Sequence, residues 1–284
     1  MPSAPIKIIT CHMNNHSPSI HALILDMDGV LWRGEEPIGD LPAIFDKIAR
    51  RGWQVTLATN NATLSADQYV EKIARLGVSL NRRQIVNSAL ATARYLHRLH
   101  PDGGRVYIVG ENGLSITLAE AGFTAVSLNA TDLHPERENI LAVIVAMDRQ
   151  VTYEKLTVAT RLVRAGVPLL ATNPDRTFPT PQGLVPGAGA ILAAVEAASG
   201  ESALIIGKPS PEMYRVALET MGVAPENALV VGDRLETDIA GGQQLGCQTA
   251  LVLSGVTTPQ IADRWRPPPG WISPDLGSLL NTIA

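Results

Sequence analysis

The sequence predicts an α/β fold built on a mostly parallel sheet, and three observations indicate it. From residue 21 onward, short apolar segments alternate with amphipathic stretches. Several amphipathic stretches end at a glycine that leads into the next apolar segment, as helix-to-strand connections do. The apolar segments themselves end in small or polar residues. Strand–helix alternation of this kind produces a sheet covered by helices on both faces.

The apolar segments are rich in Val, Ile and Leu, which is typical of strands buried on both faces. In chain order the predicted strands are Ala22–Asp26, Val55–Thr59, Val106–Gly110, Leu141–Ala146, Val167–Thr172, Ala203–Gly207, Ala228–Asp233 and Thr249–Leu253. Helical spacing of apolar residues predicts a helix over Leu41–Arg51, which Gly52 ends. A second helix opens at Ser65 and ends at Gly77, and a third covers Pro211–Met221.

Composition narrows the class of protein. The chain has 284 residues, 45% of them hydrophobic and 18% charged, which is ordinary for a globular protein. Its length predicts roughly two domains. The formal net charge of −4 offers no basic field for nucleic acid or an anionic membrane, and we expect neither partner. No apolar run is long enough to span a bilayer.

The two cysteines and the N-terminal residues both bear on the cellular location of the protein. Cys11 and Cys247 fit neither a disulfide framework nor a zinc signature. Residues 1–19 mix proline, asparagine and histidine, and their apolar stretch is too short for a signal-peptide core. We therefore predict a flexible N-terminal extension and a cytoplasmic location.

Two of the predicted strands end in paired acidic residues. Asp26 ends the first strand and Asp28 follows it, just before Gly29. Carboxylates so close to a buried strand repel each other unless a cation or hydrogen-bond donors balance them. A metal ion is one explanation, and an acidic turn that needs the backbone freedom of Gly29 is the other.

A later strand ends at Asp233, and Asp238 falls in the first turn of the helix that follows. Mg²⁺ binds carboxylate oxygens and retains waters, which suits one direct and one outer-shell ligand. Compensation of the helix dipole by acidic residues is the alternative.

Two other strands end in neutral or basic groups. Thr59-Asn60-Asn61 supplies a hydroxyl, two amides and backbone N–H groups that could cradle an oxyanion, or else a capping segment before Ser65. In Gly207-Lys208-Pro209, the lysine could bridge a phosphoryl oxygen and a carboxylate, or else lie at the surface before a helix. Each pattern alone is short, but the four strand ends in this order are a specific combination.

These motifs resemble the haloacid dehalogenase superfamily, and more narrowly its subfamily IIA of NagD-like and p-nitrophenylphosphatase-like enzymes. Further segments that resemble that subfamily are Ala171–Asp175, Pro186–Ala190, Gly207-Lys208-Pro209 and Leu253–Val256. The resemblance implies a Rossmann-like core with an inserted α/β cap of the C2 type. We expect the core over residues 20–86 and 182–284, and the cap over residues 87–181.

The resemblance also implies an activity, namely hydrolysis of a small phosphomonoester through an aspartyl-phosphate. Asp26 would be the nucleophile, and Asp28 would protonate the leaving oxygen and later accept a proton from water. Mg²⁺ would be held by Asp26, the backbone carbonyl of Asp28, and Asp233, with Asp238 ordering a bound water.

The remaining site residues follow from the same resemblance. Phosphate oxygens would be bound by Thr59, the backbone at Asn60, and Lys208. Asn173 and Asp175 are candidates near the mouth of the site, with an Asx turn as their structural alternative. Asn61 is a further candidate for substrate binding.

Other functions compete with this one. A signalling receiver domain also carries a phosphoaspartate, Mg²⁺, Thr and Lys, but receivers are shorter and lack the pattern of Asp233 and Asp238. The other alternative is a protein of the same fold that has little turnover and instead binds a phosphorylated ligand or has a regulatory role. The sequence leaves the substrate open among glycolate, sugar, nucleotide and pyridoxal phosphates, and the oligomeric state open, a homodimer included.

Overall fold

The protein, described by a computed structural model over residues 19–180 and 183–283, is a mixed α/β chain with two parallel sheets. The flexible extension predicted for residues 1–19 lies, apart from Ser19, outside the described residues. All eight predicted strand segments contain a strand. All of them except the segment that ends at Thr59 stop one or two residues earlier than predicted.

The strands are mostly short. They are β1 (Ala22–Leu25), β2 (Trp32–Arg33), β3 (Glu36–Pro37), β4 (Gln54–Thr59), β5 (Ile85–Asn87), β6 (Gly104–Val109), β7 (Phe123–Ala125), β8 (Ile140–Val145), β9 (Leu169–Ala171), β10 (Thr177–Thr180), β11 (Gly183–Pro186), β12 (Leu204–Ile205), β13 (Ala228–Gly232), β14 (Gln248–Val252) and β15 (Trp271–Ser273).

The α-helices lie between and after the strands, and each of the three helices predicted from the sequence contains one of them. They are α1 (Leu41–Arg50), α2 (Ala66–Arg75), α3 (Ser88–Leu99), α4 (Asn112–Glu120), α5 (Tyr153–Arg164), α6 (Ala188–Ser199), α7 (Pro211–Met221), α8 (Ala240–Gln244), α9 (Pro259–Ala262) and α10 (Leu276–Thr282). Local signals set several of the ends. The Asp40 side chain accepts a hydrogen bond from the Ala43 amide and so caps α1, and Thr152 caps α5 in the same way through Lys155.

The first sheet has six strands in the order β15-β14-β13-β1-β4-β5. Strand β1 is central and fully buried, and it pairs in parallel with β13 on one side and β4 on the other. Leu25, the last residue of β1, lies opposite Val231 and Leu57. Because parallel strands end at the same edge, Asp26 and Asp233 emerge side by side from neighbouring strands.

The second sheet has five strands in the order β12-β9-β8-β6-β7, and its pairs are parallel. Helices α5 and α6 cover it with a buried core that includes Val143, Val158, Leu162 and Val195, all with no exposed surface. Two antiparallel hairpins, β2–β3 and β10–β11, complete the described sheets.

The chain divides into two compact units. The first comprises the residues up to Ala58, Val70–Ile85 and the chain from Tyr214 onward, and the second comprises Thr59–Tyr69 and Val86–Met213. This division assigns residues 59–69, 86 and 183–213 to the second unit, whereas the sequence analysis places them in the core. Strand β12 accordingly pairs with β9 in the second sheet. Across the described part of the chain, none of the helices has the length and hydropathy needed to cross a bilayer.

The second unit also contains a close backbone approach that only glycine allows. Gly103 has φ = +74°, and a Cβ there would overlap the carbonyl oxygen of Gly122. Gly166 has a similar φ of +93° but faces open space. The two positions therefore separate the cost of a left-handed backbone from the cost of a steric clash.

We expect Gly103→Ala to lower the free energy of unfolding more than Gly166→Ala does. A left-handed alanine costs roughly 1–2 kcal/mol at either site. The clash with Gly122 adds about 1–3 kcal/mol at position 103 alone. Urea denaturation of both variants, followed by circular dichroism, measures the difference. Equal destabilisation by the two variants would contradict the close approach.

Candidate active site

The candidate site begins at the end of the central strand. Asp26 follows β1 directly, and its amide donates to the Val231 carbonyl at 2.9 Å, which continues the sheet by one residue. The residue is half-buried. One carboxylate oxygen of Asp26 lies within 4.8 Å of a carboxylate oxygen from each of Asp233 and Asp238. The structure therefore brings together three of the four aspartates that the sequence analysis assigned to a metal.

Asp233 is held rigidly in this cluster. Its carboxylate accepts a hydrogen bond from the Val256 amide at 2.8 Å, and its carbonyl accepts one from the Thr257 hydroxyl at 2.6 Å. A Cβ on Gly255 would overlap the carboxylate, and one on Gly29 would lie 2.6 Å from its Oδ2 atom. Asp233 is only 2% exposed, so neighbouring backbone encloses its side chain.

Asp238 reaches the cluster through an unusual helical turn. Residues Leu235–Ile239 form one turn of π-helix, a feature often found at functional sites. The Asp238 carboxylate accepts from the Arg234 amide at 3.1 Å. The Tyr214 hydroxyl donates to carbonyls of this turn, at 3.2 Å to Thr237 and 3.3 Å to Asp238. A Cβ on Gly232 would overlap the Asp238 side chain, so the turn packs directly on the end of β13.

This donor set fits a hard divalent cation. Three carboxylates within 4.8 Å of one another repel strongly, and two of them are at least 98% buried. Carboxylate oxygens are the ligands that Mg²⁺ and similar cations prefer. Asp26, Asp233 and Asp238 are therefore the residues that could hold such an ion.

Asp28 differs from these three residues. It is exposed, and its Oδ1 atom accepts a hydrogen bond from the indole Nε1 of Trp32 at 2.9 Å. Trp32 is only 1% exposed, so its ring is a fixed donor. The Asp28 side chain is not part of the carboxylate cluster. A carboxylate held beside a metal site but outside it is suited to proton transfer.

The loop after β14 contributes contacts that the sequence analysis did not assign. The Ser254 hydroxyl donates to the Gly29 carbonyl at 2.6 Å, and the Arg33 guanidinium donates to the Ser254 carbonyl at 2.6 Å. The bond of Ser254 to Gly29 thus holds the loop that follows β1, and the bonds of Val256 and Thr257 hold Asp233 at the end of β13. The resemblance of Leu253–Val256 to a known subfamily was the one available signal for these residues.

The second unit carries the predicted phosphate-binding residues. Thr59 ends β4 and is 3% exposed, and its hydroxyl accepts from the Asn61 amide at 3.1 Å. The Asn61 side chain in turn accepts from the amide and hydroxyl of Thr63 at 2.9 and 2.6 Å. The Asn61 side-chain oxygen thus makes its hydrogen bonds within its own loop.

Lys208 and Asn60 form a direct contact. Asn60 Oδ1 accepts from the Lys208 backbone amide at 2.7 Å, and Asn60 Nδ2 donates to the Lys208 carbonyl at 3.0 Å. Lys208 is 3% exposed. The structure therefore brings together two of the three residues predicted to bind phosphate, and it does so through the side chain of Asn60 rather than its backbone.

Asn173 and Asp175 join the same network. The Asn173 amide donates to the Asn60 carbonyl at 2.9 Å, and its Oδ1 accepts from the Asp175 backbone amide at 3.1 Å. The second bond forms an Asx turn, one of the two alternatives that the sequence left open. Asp175 Oδ2 lies 3.3 Å from Asn60 Nδ2, within hydrogen-bond reach.

The carboxyl edge of the second sheet carries ion pairs. The Arg149 guanidinium donates to both carboxylate oxygens of Glu111 at 2.7 Å, which lowers the pKa of Glu111 and raises that of Arg149. Lys155 pairs with the buried Asp148 at 2.7 Å. Burial, followed by the nearby carboxylates of Glu154 and Asp148, raises the pKa of Tyr107 to about 12.

Comparisons with known proteins agree with the geometry. Residues 23–124 match the family described as haloacid dehalogenase-like hydrolase, and residues 205–279 match the one described as HAD-hydrolase-like. An acid sugar phosphatase from Staphylococcus aureus is 35% identical over 262 residues, covering 92% of this chain and 97% of that protein.

Solved structures give the same result. NagD from E. coli K-12 superimposes with a TM-score of 0.82 at 33% identity, covering 91% of this chain and 97% of that one. A glycerol phosphate phosphatase from Mycobacterium tuberculosis, solved in complex with magnesium, has a TM-score of 0.84 at 32% identity, covering 96% of this chain and 81% of that one. The chain therefore belongs to the haloacid dehalogenase-like hydrolases and is an enzyme of their NagD-like subfamily.

Proposed function

We propose that the protein is a Mg²⁺-dependent phosphomonoester hydrolase that works through an aspartyl-phosphate. The observation that carries the proposal is the cluster of Asp26 and Asp233, which follow two neighbouring parallel strands, with Asp238 from the π-helical turn. Of the three, only Asp26 is not fully buried, so it is the carboxylate that a substrate can reach. When bound, Mg²⁺ would supply the positive charge that lets an anionic carboxylate approach an anionic phosphate.

In the first step a carboxylate oxygen of Asp26 attacks phosphorus, and the bond between phosphorus and the leaving oxygen breaks. Asp28 donates its proton to that leaving oxygen. In the second step Asp28 takes a proton from water, the water oxygen attacks phosphorus, and the acyl-phosphate bond to Asp26 breaks. Inorganic phosphate leaves, and Asp28 is again protonated for the next cycle.

Trp32 supports the double role of Asp28. Its Nε1 donates to one carboxylate oxygen at 2.9 Å, which fixes the orientation of the side chain and leaves the other oxygen for the proton. The exposure of Asp28 allows both the leaving group and water to reach it. A group that acts first as acid and then as base has to remain outside the metal's ligand set, as the Asp28 side chain does.

The remaining phosphate oxygens would be bound by Thr59, the backbone at Asn60, and Lys208. An ammonium and oriented hydrogen-bond donors stabilise the charge that builds up on the equatorial oxygens. The chain has a net charge of −4, so this compensation has to be local. Asn61, Asn173 and Asp175 are used in hydrogen bonds within the second unit, and we assign them to holding the phosphate-binding residues in place.

We propose a small phosphorylated metabolite as the substrate, with sugar phosphates as the first class to test. The relatives named acid sugar phosphatase and glycerol phosphate phosphatase support this choice. The aromatic content of 4% offers few rings to stack a nucleobase. A cytoplasmic location is part of the proposal, supported by the absence of a disulfide framework in a chain with two cysteines.

We expect the purified protein to release p-nitrophenol from p-nitrophenyl phosphate only when Mg²⁺ is present. EDTA should abolish turnover and added Mg²⁺ should restore it. Asp26→Asn should lower kcat on the order of 10³-fold or more, because the nucleophile is removed. Asp46→Asn is the matched control, since Asp46 is an exposed carboxylate on α1 that pairs with Arg50.

The competing function predicts a different result in the same assay. A protein that only binds phosphorylated ligands would show no turnover on a panel of sugar, glycolate, nucleotide and pyridoxal phosphates. It would still bind inorganic phosphate in calorimetry. That combination would rule out the proposed hydrolase.

We expect Asp28→Asn to separate turnover from metal binding. The asparagine keeps an Oδ1 acceptor for Trp32 but cannot transfer the proton, so kcat should fall about 10²–10⁴-fold. The Kd for Mg²⁺, measured by calorimetry, should stay within about threefold of the wild type, because the side chain lies outside the cluster. Asp238→Asn should instead raise that Kd about 10–100-fold. Equal losses of Mg²⁺ affinity and turnover in Asp28→Asn would contradict the assignment.

A further inference from the structure

We infer that the Asn60 side chain is a positioning residue, which fixes the backbone of Lys208 and thereby aims its ammonium group. The inference rests on the proposed function, in which Lys208 binds a phosphoryl oxygen. It assigns a separate role to an asparagine that the sequence analysis used only for its backbone. The argument uses contacts within the second unit.

The side-chain amide of Asn60 makes the hydrogen bonds to the Lys208 backbone that a neighbouring strand would otherwise make. Strand β12 ends at Ile205, and beyond it the amides of Ile206 and Gly207 still donate to the carbonyls of Ala171 and Thr172, both at 2.9 Å. At Lys208 this backbone pairing stops. Both its N–H and its C=O bond to the Asn60 side chain instead, at 2.7 and 3.0 Å. One primary amide thus satisfies both polar backbone groups of a residue that is 3% exposed.

The backbone just before Lys208 is closely packed. A Cβ on Gly207 would lie 2.6 Å from Asn60 Oδ1 and would overlap the Thr172 carbonyl oxygen. The chain before Lys208 is therefore pressed against the Asn60 amide on one side and the end of β9 on the other. The direction in which the Lys208 side chain leaves the backbone is set by these two contacts.

Asn60 is itself held on the other side. Its carbonyl accepts from the Ser88 hydroxyl at 2.7 Å and from the Asn173 amide at 2.9 Å. Ser88 and Asn173 are buried, with 0% and 7% exposure. The clamp thus joins the loop after β4, the start of α3, the loop after β9 and Lys208. Because several elements share it, small movements of one do not displace the lysine alone.

The chemistry of the contact explains why position 60 holds asparagine. The contact needs one donor and one acceptor on a short stem, and asparagine provides both. Aspartate would lose the donor and place a second carboxylate beside Asp175. Alanine would leave both backbone groups of Lys208 without this partner. A misplacement of about 1 Å in a catalytic group can cost on the order of 10²-fold in rate.

A double-mutant cycle tests whether Asn60 acts through Lys208. We expect Asn60→Ala to lower kcat for p-nitrophenyl phosphate about 10–100-fold in the wild-type background. In the Lys208→Ala background, the same substitution should change kcat by less than about threefold, since there is no ammonium left to misplace. Equal factors in both backgrounds would overturn the inference, because they would show that Asn60 acts by another route.

Hydrogen exchange tests the contact between Asn60 and Lys208 independently of enzyme turnover. The chain has five lysines, at positions 7, 47, 72, 155 and 208, so selective ¹⁵N-lysine labelling gives a simple amide spectrum. We expect hydrogen exchange of the Lys208 amide to become at least about tenfold faster in Asn60→Ala than in the wild type. Thr152→Ala is the control, because it removes the cap of α5 in the same unit and leaves the Asn60 contact intact.

The two arms distinguish the possible failures. Absence of turnover in the wild-type protein would overturn the proposed function, and with it this inference. Turnover in the wild type combined with equal factors in the cycle, or with unchanged exchange of the Lys208 amide in Asn60→Ala, would overturn the inference alone. A general loss of stability in Asn60→Ala would speed the exchange of the Lys155 and Lys208 amides together, which would also count against a specific clamp.

Discussion

The repulsion among Asp26, Asp233 and Asp238 is the constraint on which the rest of the first unit depends. Two of the three carboxylates are almost completely buried, and burying a charge is costly unless it is paired or coordinates a cation. The sheet brings them together because β1 and β13 are parallel neighbours that end at the same edge. The loops and turns around them then have to hold three carboxylates that would otherwise move apart because they repel each other. Most of the contacts described around the site serve that purpose.

Glycines and short loops provide the holding contacts. Gly232 lets Asp238 turn back against the end of β13, and Gly255 lets the loop after β14 lie directly on Asp233. The amide of Val256 donates to Asp233, and the hydroxyl of Ser254 donates to the loop after β1. These are neutral donors. They stabilise the carboxylates or their loops without adding positive charge, so the negative charge of the cluster is not offset by its neighbours.

Sequence reasoning could predict the parts of the site that lie at strand ends. Buried strands such as β1, β8 and β13 have a clear apolar pattern, and a polar residue after such a strand is easily recognised. Strands β5, β7 and β15 have three residues each, and the sequence analysis did not find them. Strands β9 and β12 are no longer than these, but each lies within a longer apolar segment that was recognised.

The contacts that fix the site could not be predicted in the same way. Ser254 and Gly29 are 225 residues apart, and Asn60 and Lys208 are 148 apart. No periodic pattern links residues at such separations. The bond from Trp32 to Asp28 spans only four residues, yet a buried tryptophan is usually a core residue and gives no sign that its indole N–H orients an acid. Strand ends are thus visible in a sequence, whereas their supporting contacts require the fold.

In both units neutral groups hold charged residues, which are acidic in the first unit and basic in the second. In the first, backbone donors hold acidic side chains; in the second, the amide of Asn60 holds a lysine through its backbone. A phosphate ester brings further negative charge to a chain that already carries −4. In the proposed function Lys208 binds phosphate, and a carboxylate used to hold it would offset its positive charge, whereas a neutral amide does not. The requirement for a donor and an acceptor without charge, on a stem short enough to reach both groups of one peptide unit, therefore accounts for asparagine at position 60.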